Sequence, residues 1–294
     1  MFTPTTTRLG EGLQSWPNRA GTATSRRAPF AVKLFRSLIA AALLAAAPLR
    51  AAGEADAPTV PILLYHRLAP TVVDSMTVSL PVFESQLAYI KDRGYAVIPL
   101  QRLLAYLRGT APPPPPHSVV ITADDGHRSV YELMSPLLKR YGYPATLFIY
   151  PSAISNADYA LTWAQVRELK ASGLFDIQSH TYWHPNFIKE KRTLAPEAYA
   201  KLVDSQLNRS REKLERETGG EITLLAWTFG LYDRDLMKRA SELGYRAALT
   251  IERRHARLGD ELMALPRYLV TNLDSGERFG RLLAGQPARQ TRSR

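Results

Sequence analysis

The sequence contains no cysteine. That removes disulfides, thiolate nucleophiles and Cys-ligated zinc, so a metal centre would have to be built from histidine and carboxylates. Histidine is itself scarce, with six in 294 residues. Long apolar runs are lacking too. The longest, Leu38 to Ala47, falls well short of the roughly twenty residues that span a bilayer. Acidic residues are in deficit, 27 against 38 Lys and Arg. Much of that imbalance sits in residues 1–53, which hold seven basic residues and one Glu. The remainder has 31 basic and 26 acidic residues, a net +5, scattered apart from Arg289, Arg292 and Arg294. Such a surface implies no nucleic-acid partner. No internal repeat is visible.

What is present is the composition of a globular chain, 45% hydrophobic and 22% charged. The length suits one large domain that needs no covalent staples. At the N-terminus Lys33 and Arg36 precede the apolar run, and the small residues Ala51, Ala52 and Gly53 follow it. Positive region, short apolar stretch and small-residue exit describe an export signal. The chain is therefore expected outside the cytoplasm, periplasmic or secreted, touching a membrane only through that signal, with an uncleaved anchor as the alternative.

From Val60 onward, short apolar runs alternate with amphipathic stretches. Val60–Tyr65, Tyr95–Leu100, Ser118–Thr122, Ala145–Tyr150, Phe175–Ser179, Leu224–Thr228, Tyr245–Thr250 and Leu262–Leu265 read as strands. Between them Pro81–Arg93, Leu103–Leu107, Ser129–Arg140, Trp163–Ser172, Ala198–Thr218 and Asp233–Leu243 read as helices, several stopped by Gly. Alternation of this kind predicts an α/β class: a distorted (β/α)7-type barrel of mostly parallel strands, as a single domain. The expected boundaries are a leader at 1–53, a barrel at 54–275 and a basic tail at 276–294.

Chemistry in such folds sits where strands end. Two strand ends here are pointedly polar. Thr122-Ala123-Asp124-Asp125-Gly126 places two adjacent carboxylates after an apolar run, where they repel unless a cation holds one. His180-Thr181-Tyr182-Trp183-His184 follows another, with two imidazoles at i and i+4. One carboxylate and two imidazoles make a facial ligand set with open positions, suited to zinc and also to cobalt or nickel.

In that order, the two segments resemble the first and second motifs of the polysaccharide deacetylase family, also called the NodB-homology or carbohydrate esterase family four domain. Those motifs usually read T-F-D-D-G and H-[S/T]-x-x-H. The flanks Pro61–His66 (PILLYH), Gly142–Ile149 (GYPATLFI) and Leu161–Trp163 (LTW) are similar as well, and the resemblance runs from Val60 to Val270. Order and spacing resemble the poly-β-1,6-N-acetylglucosamine N-deacetylase branch. The resemblance implies a metal-dependent hydrolase that removes N-acetyl groups from an N-acetylated polysaccharide. Asp125, His180 and His184 would hold the divalent metal and Asp124 would be the general base. The backbone N–H of Phe229 would steady the developing oxyanion, and Arg267 would hold Asp124 by a charge-assisted pair. Trp163, Tyr182 and Tyr232 would stack on sugar rings.

The sequence also departs from the family pattern. Ala123 replaces the usual Phe, and Thr228-Phe229 stands where Pro-Tyr is usual. Leu265-Pro266-Arg267 lies where many relatives carry Leu-x-His, which leaves His255 as the only late histidine. These departures keep two alternatives open: a deacetylase-like carbohydrate-binding protein with impaired turnover, or a deacetylase of peptidoglycan, chitin-like oligomers or a non-sugar amide.

Overall fold

A computed structural model describes residues 57–286. The expected leader and the last residues of the basic tail lie outside the described residues. In chain order the strands are β1 (Ile62–Tyr65), β2 (Arg67–Ala69), β3 (Thr77–Ser79), β4 (Ala96–Val97), β5 (Ser118–Asp124), β6 (Ala145–Ile149), β7 (Phe175–Ser179), β8 (Leu224–Ala226), β9 (Ala247–Leu249) and β10 (Tyr268–Leu269). The helices are α1 (Leu80–Asp92), α2 (Leu100–Leu107), α3 (Ser135–Tyr141), α4 (Trp163–Ala171), α5 (Phe187–Thr193), α6 (Pro196–Thr218), α7 (Arg234–Glu242) and α8 (Gly276–Leu283).

The main sheet runs β10-β1-β5-β6-β7-β8-β9, with every pairing parallel, and β4 extends the lower part of β5. Leu265 bridges Leu249 of β9 in parallel, while Tyr268 and Leu269 pair with Leu63 and Leu64 of β1. One short segment, residues 265–269, therefore touches both ends of the sheet and draws it into a ring. This is the expected (β/α)7-type barrel.

Strand alternation divides the apolar residues between two layers. On β5, Val119, Ile121 and Ala123 pack outward under the helices, while Val120 packs inward with Ile62, Phe148, Leu224 and Leu249. The helices are built from local signals. Thr162 and Gln165 form a reciprocal capping box at the start of α4. Pro196 opens α6, and Gly142 closes α3 at φ 67.

Four expectations need correction. Leu262–Leu265 is not the last strand. Leu262–Ala264 forms a 3-10 turn and the strand lies at Tyr268–Leu269, because Pro266 has no N–H and breaks the ladder between them. The expected helix from Ser129 begins with a π turn, Val130–Met134, where Pro136 withholds the next donor. Helix α5 was not anticipated. The barrel does not stop at residue 275: α8 buries Phe279, Leu282 and Leu283, and Phe279 meets the Tyr89 ring of α1 edge-on at 5.9 Å.

Candidate active site

Every second residue of β5 faces the barrel interior, so Val120 and Thr122 are followed inward by Asp124, which is 2% exposed. A carboxylate buried so deeply is costly unless it is paired. Arg267, fully buried, supplies the pair. Its Nη1 donates to Oδ1 and its Nη2 to Oδ2, both at 2.8 Å. Two more of the guanidinium's donors are used: Nε bonds the Thr250 carbonyl at 2.9 Å, and Nη1 also reaches Thr122 Oγ1 at 3.3 Å. Burial alone would raise the Asp124 pKa. The charge of Arg267, then that of His180, and the Arg267 hydrogen bonds outweigh it and hold the group below the usual carboxylate range.

Beyond Asp124 the chain turns sharply through Asp125 at φ 72 and Gly126 at φ 73. The left-handed region is costly for a residue with a Cβ. At Gly126 a Cβ would also lie 2.9 Å from Ile154 Cδ1. The turn aims Asp125 at the loop after β7. There His180 Nδ1 lies 2.8 Å from the Ala226 carbonyl. A carbonyl only accepts, so Nδ1 carries the proton and Nε2 keeps its lone pair. That Nε2 is 3.5 Å from Asp125 Oδ1, and His184 Nε2 is 3.7 Å from the same oxygen. The three ligand atoms all lie within 4.8 Å of one another.

The electrostatics of this cluster suit a cation. Burial pushes His180 down to about 3 and lowers His184, so both imidazoles are neutral ligands near pH 7. Burial, and to a lesser extent the charge of Asp124, raises Asp125 despite the opposing influence of His66. Asp125 Oδ1 is buried and has no hydrogen-bond partner. A bare buried carboxylate oxygen facing two neutral imidazoles is what a divalent cation would satisfy, and the His/Asp donor set fits zinc, cobalt or nickel.

A cavity of about 190 Å³ opens onto the cluster, walled by Trp227, Phe229, Gly230, Ile251, Leu269 and His66. Larger hollows of about 440 and 550 Å³ lie elsewhere and contain no such acid–imidazole set. Phe229 is half exposed, with its ring edge-on to His184 at 4.6 Å and its backbone at φ 58, ψ 11. Trp227 is both core and wall: it is 1% exposed, and its Nε1 donates to the Met263 carbonyl at 2.8 Å. Among the described residues, six other than Gly have positive φ; three of them (Asp125, His184 and Phe229) line this cavity, and a fourth, Thr181, lies in the loop between its two histidines. Each such position costs on the order of 1–3 kcal/mol and persists only where neighbours impose it.

Asp124, Asp125, His180, His184, Phe229 and Arg267 thus converge. The expected sugar-stacking residues do not line the cavity. Trp163 opens α4 with Lys213 over its ring at 5.2 Å. Tyr182, turned away after left-handed Thr181, lies under the Arg209 guanidinium at 4.0 Å. Tyr232 stacks on Trp227 and bonds Glu252 through its hydroxyl. Ala123 faces the outer core and shapes no pocket wall. His255 sits in a separate hollow, held between Thr59 and the Leu282 carbonyl. His66 enters the sequence analysis only as the end of the PILLYH flank. It lines the cavity, and its buried Nδ1 has no partner. The period-2 signal was available, since His66 continues the inward face of Ile62 and Leu64.

Comparison with known proteins points the same way. Residues 111–248 match the family model described as Polysaccharide deacetylase. A Bacillus subtilis (strain 168) polysaccharide deacetylase homologue, YxkH, is 29% identical over 221 residues, covering 75% of this chain and 74% of that one. The poly-beta-1,6-N-acetyl-D-glucosamine N-deacetylase of Staphylococcus aureus (strain MRSA252) is 24% identical over 213 residues, 71% of this chain and 73% of its own. Among solved structures, IcaB from Ammonifex degensii superposes with a TM-score of 0.69 at 25% identity, over 76% of this chain and 97% of that one. The Streptococcus pyogenes deacetylase PplD, in complex with acetate, superposes at 0.68 with 22% identity, over 79% and 100%, and shares the fold.

Proposed function

We propose, for a chain that belongs to the polysaccharide deacetylase family, that it hydrolyses the N-acetyl amide of an N-acetylglucosamine-containing exopolysaccharide, releasing acetate and leaving a free amine on the polymer. The observation that carries this reading is the bare Asp125 Oδ1 facing His180 and His184, beside an Asp124 locked by Arg267. Asp125, His180 and His184 would hold the metal, with zinc the first candidate. When bound, a divalent cation lowers the pKa of a water to about 7 and polarises the amide carbonyl.

The chain's own residues do the rest. Arg267 orients Asp124 and keeps it ionised, so its carboxylate accepts the proton of the attacking water. The Phe229 backbone, turned toward the cavity by its positive φ, supplies the donor for the developing oxyanion. The leaving amine must be protonated. Besides the four cluster residues, His66 is the only ionisable side chain on the cavity wall, so it takes that role. The small, largely apolar cavity suits an acetyl group.

The match to a poly-N-acetylglucosamine deacetylase supports that polymer class over peptidoglycan or chitin-like oligomers. The leader's charge-then-apolar pattern supports action outside the cytoplasm. Among the described residues no helix is long and apolar enough to cross a membrane.

The test is acetate release from β-1,6-linked N-acetylglucosamine oligomers by protein lacking the leader, with and without chelator, beside Asp125→Asn. Release abolished by chelation, restored by zinc and lost in D125N is expected. Release indifferent to chelation, or retained in D125N, would sink the mechanism. Zinc binding without release would favour the carbohydrate-binding alternative.

A further inference from the structure

Three of the strained residues belong to two separate segments. Thr181 and His184 lie in the loop after β7, and Phe229 lies in the turn after β8. One hydrogen bond spans the two segments: Thr228 Oγ1 donates to the Pro185 carbonyl at 2.5 Å. The acceptor directly follows His184, and the donor directly precedes Phe229. The bond therefore joins the neighbours of two left-handed corners that present an imidazole and a main-chain turn to the same cavity. Thr228 is 0% exposed, so water cannot replace either partner.

Other contacts hold the earlier part of the loop. Ala226 accepts from the His180 ring, Thr181 Oγ1 accepts from the His184 N–H, and Gln206 accepts from the Trp183 N–H. The Thr228 bond grips the loop on the far side of its second histidine. It also lies where this sequence leaves the family pattern, since proline is usual at this position and has no group to donate.

We propose that Thr228 is a positioning residue whose hydroxyl fastens the His180–His184 loop to the end of β8 and so sets the reach of His184 toward Asp125. The proposal deepens the deacetylase reading and rests on it. Groups that orient a metal ligand from behind typically alter metal affinity by about 10–100-fold when removed. Thr228→Val keeps the shape and deletes the donor. Thr228→Ser keeps the donor.

The experiment titrates zinc into metal-stripped wild type, T228V and T228S against a fluorescent competing chelator, and follows acetate release at saturating zinc. T228V should bind zinc about tenfold more weakly, and its zinc-induced rise in melting temperature should shrink. T228S should stay within about threefold of wild type in both readouts, a rescue that lost bulk alone does not predict. A folded T228V that binds zinc as wild type does, or a T228S weakened as much as T228V, overturns the proposal. Should T228V not fold, Thr228→Ala removes the same donor and decides it. A wild type that neither binds zinc nor releases acetate sinks this proposal together with the deacetylase reading. Normal wild type with an indifferent T228V sinks the proposal alone.

Discussion

Replacing Arg267 by methionine should reveal how the barrel tolerates a carboxylate in its interior. The substitution keeps an apolar side chain of similar reach and removes every donor facing Asp124. The acid stays 2% exposed, with both oxygens stripped of their 2.8 Å partners. Breaking one side of a buried ion pair costs about 3–5 kcal/mol, mostly because the surviving charge remains buried and unpaired. In a domain of this size each kcal/mol moves the melting temperature by about 2–4 °C, so R267M should melt roughly 6–20 °C below wild type. Asp124→Asn should be costly for the mirrored reason, leaving Arg267 uncompensated. The double variant should cost less than the two singles together, by about 2–3 kcal/mol of coupling. Arg267→Lys should fall between, because one ammonium cannot make the two-toothed pair. Thermal denaturation of the four proteins in chelator, followed by circular dichroism, gives the cycle. R267M melting within a degree or two of wild type, or strictly additive costs, would refute the reasoning. Acetate release by folded R267M should drop by about a hundredfold, in line with a disabled general base.

The other predictions can be checked on the same material. Asp274 is fully buried and accepts from the Thr271 N–H and hydroxyl, Arg253 and Arg278. Burial would raise its pKa, but the Thr271 backbone bond and the charge of Arg253, among other contacts, leave it lowered. A lowered folded-state value means this stabilisation is present above the unfolded carboxylate pKa near 4 and lost as pH falls below it. Asp274→Asn should therefore lose about 1–3 kcal/mol at pH 7 and show a shallower decline between about pH 4 and 2 in urea titrations. His66→Gln should lower kcat by about a hundredfold while zinc affinity stays within twofold, as steady-state kinetics and chelator competition would show. Gly230→Ala should disturb the Phe229 turn, since a Cβ there would collide with the Ile251 side chain at a φ of 67. At least a tenfold loss of acetate release is expected with the fold retained by circular dichroism, on the view that the oxyanion donor is worth about 10²–10³.

The parts of the fold and site that were legible in the sequence are those governed by a period or a chemical necessity. Strand–helix alternation set the barrel, and adjacent acids after an apolar run demanded a cation nearby. Arg267 was legible from its place, since Leu265-Pro266-Arg267 stands where many relatives carry Leu-x-His, and from the acid pair's need for a cationic partner. What escaped depended on backbone direction inside loops. Tyr182 neighbours both histidines in sequence, yet the left-handed φ of Thr181 turns it beneath Arg209. Proline explains two further misses. Pro266 displaces the last strand and Pro136 converts the start of a helix into a π turn, each by withholding a donor whose effect depends on tertiary register. Helix α8 was hidden because Arg278 and Arg281 dominate its composition, although Phe279, Leu282 and Leu283 share its buried face.

The short segment that closes the ring also carries Arg267. Structural completion and chemical arming are therefore the same event. During synthesis the residues of the cluster emerge first, but Asp124 lacks its Arg267 partner until residue 267 leaves the ribosome and docks between β9 and β1. A fragment cut to the span 111–248 would contain Asp124, Asp125, His180 and His184, yet would lack His66, Arg267 and the seam that shuts the cylinder. The pairing of this buried acid arrives with the last strand, and shortened versions meant to keep only the matched core would be born open and unpaired.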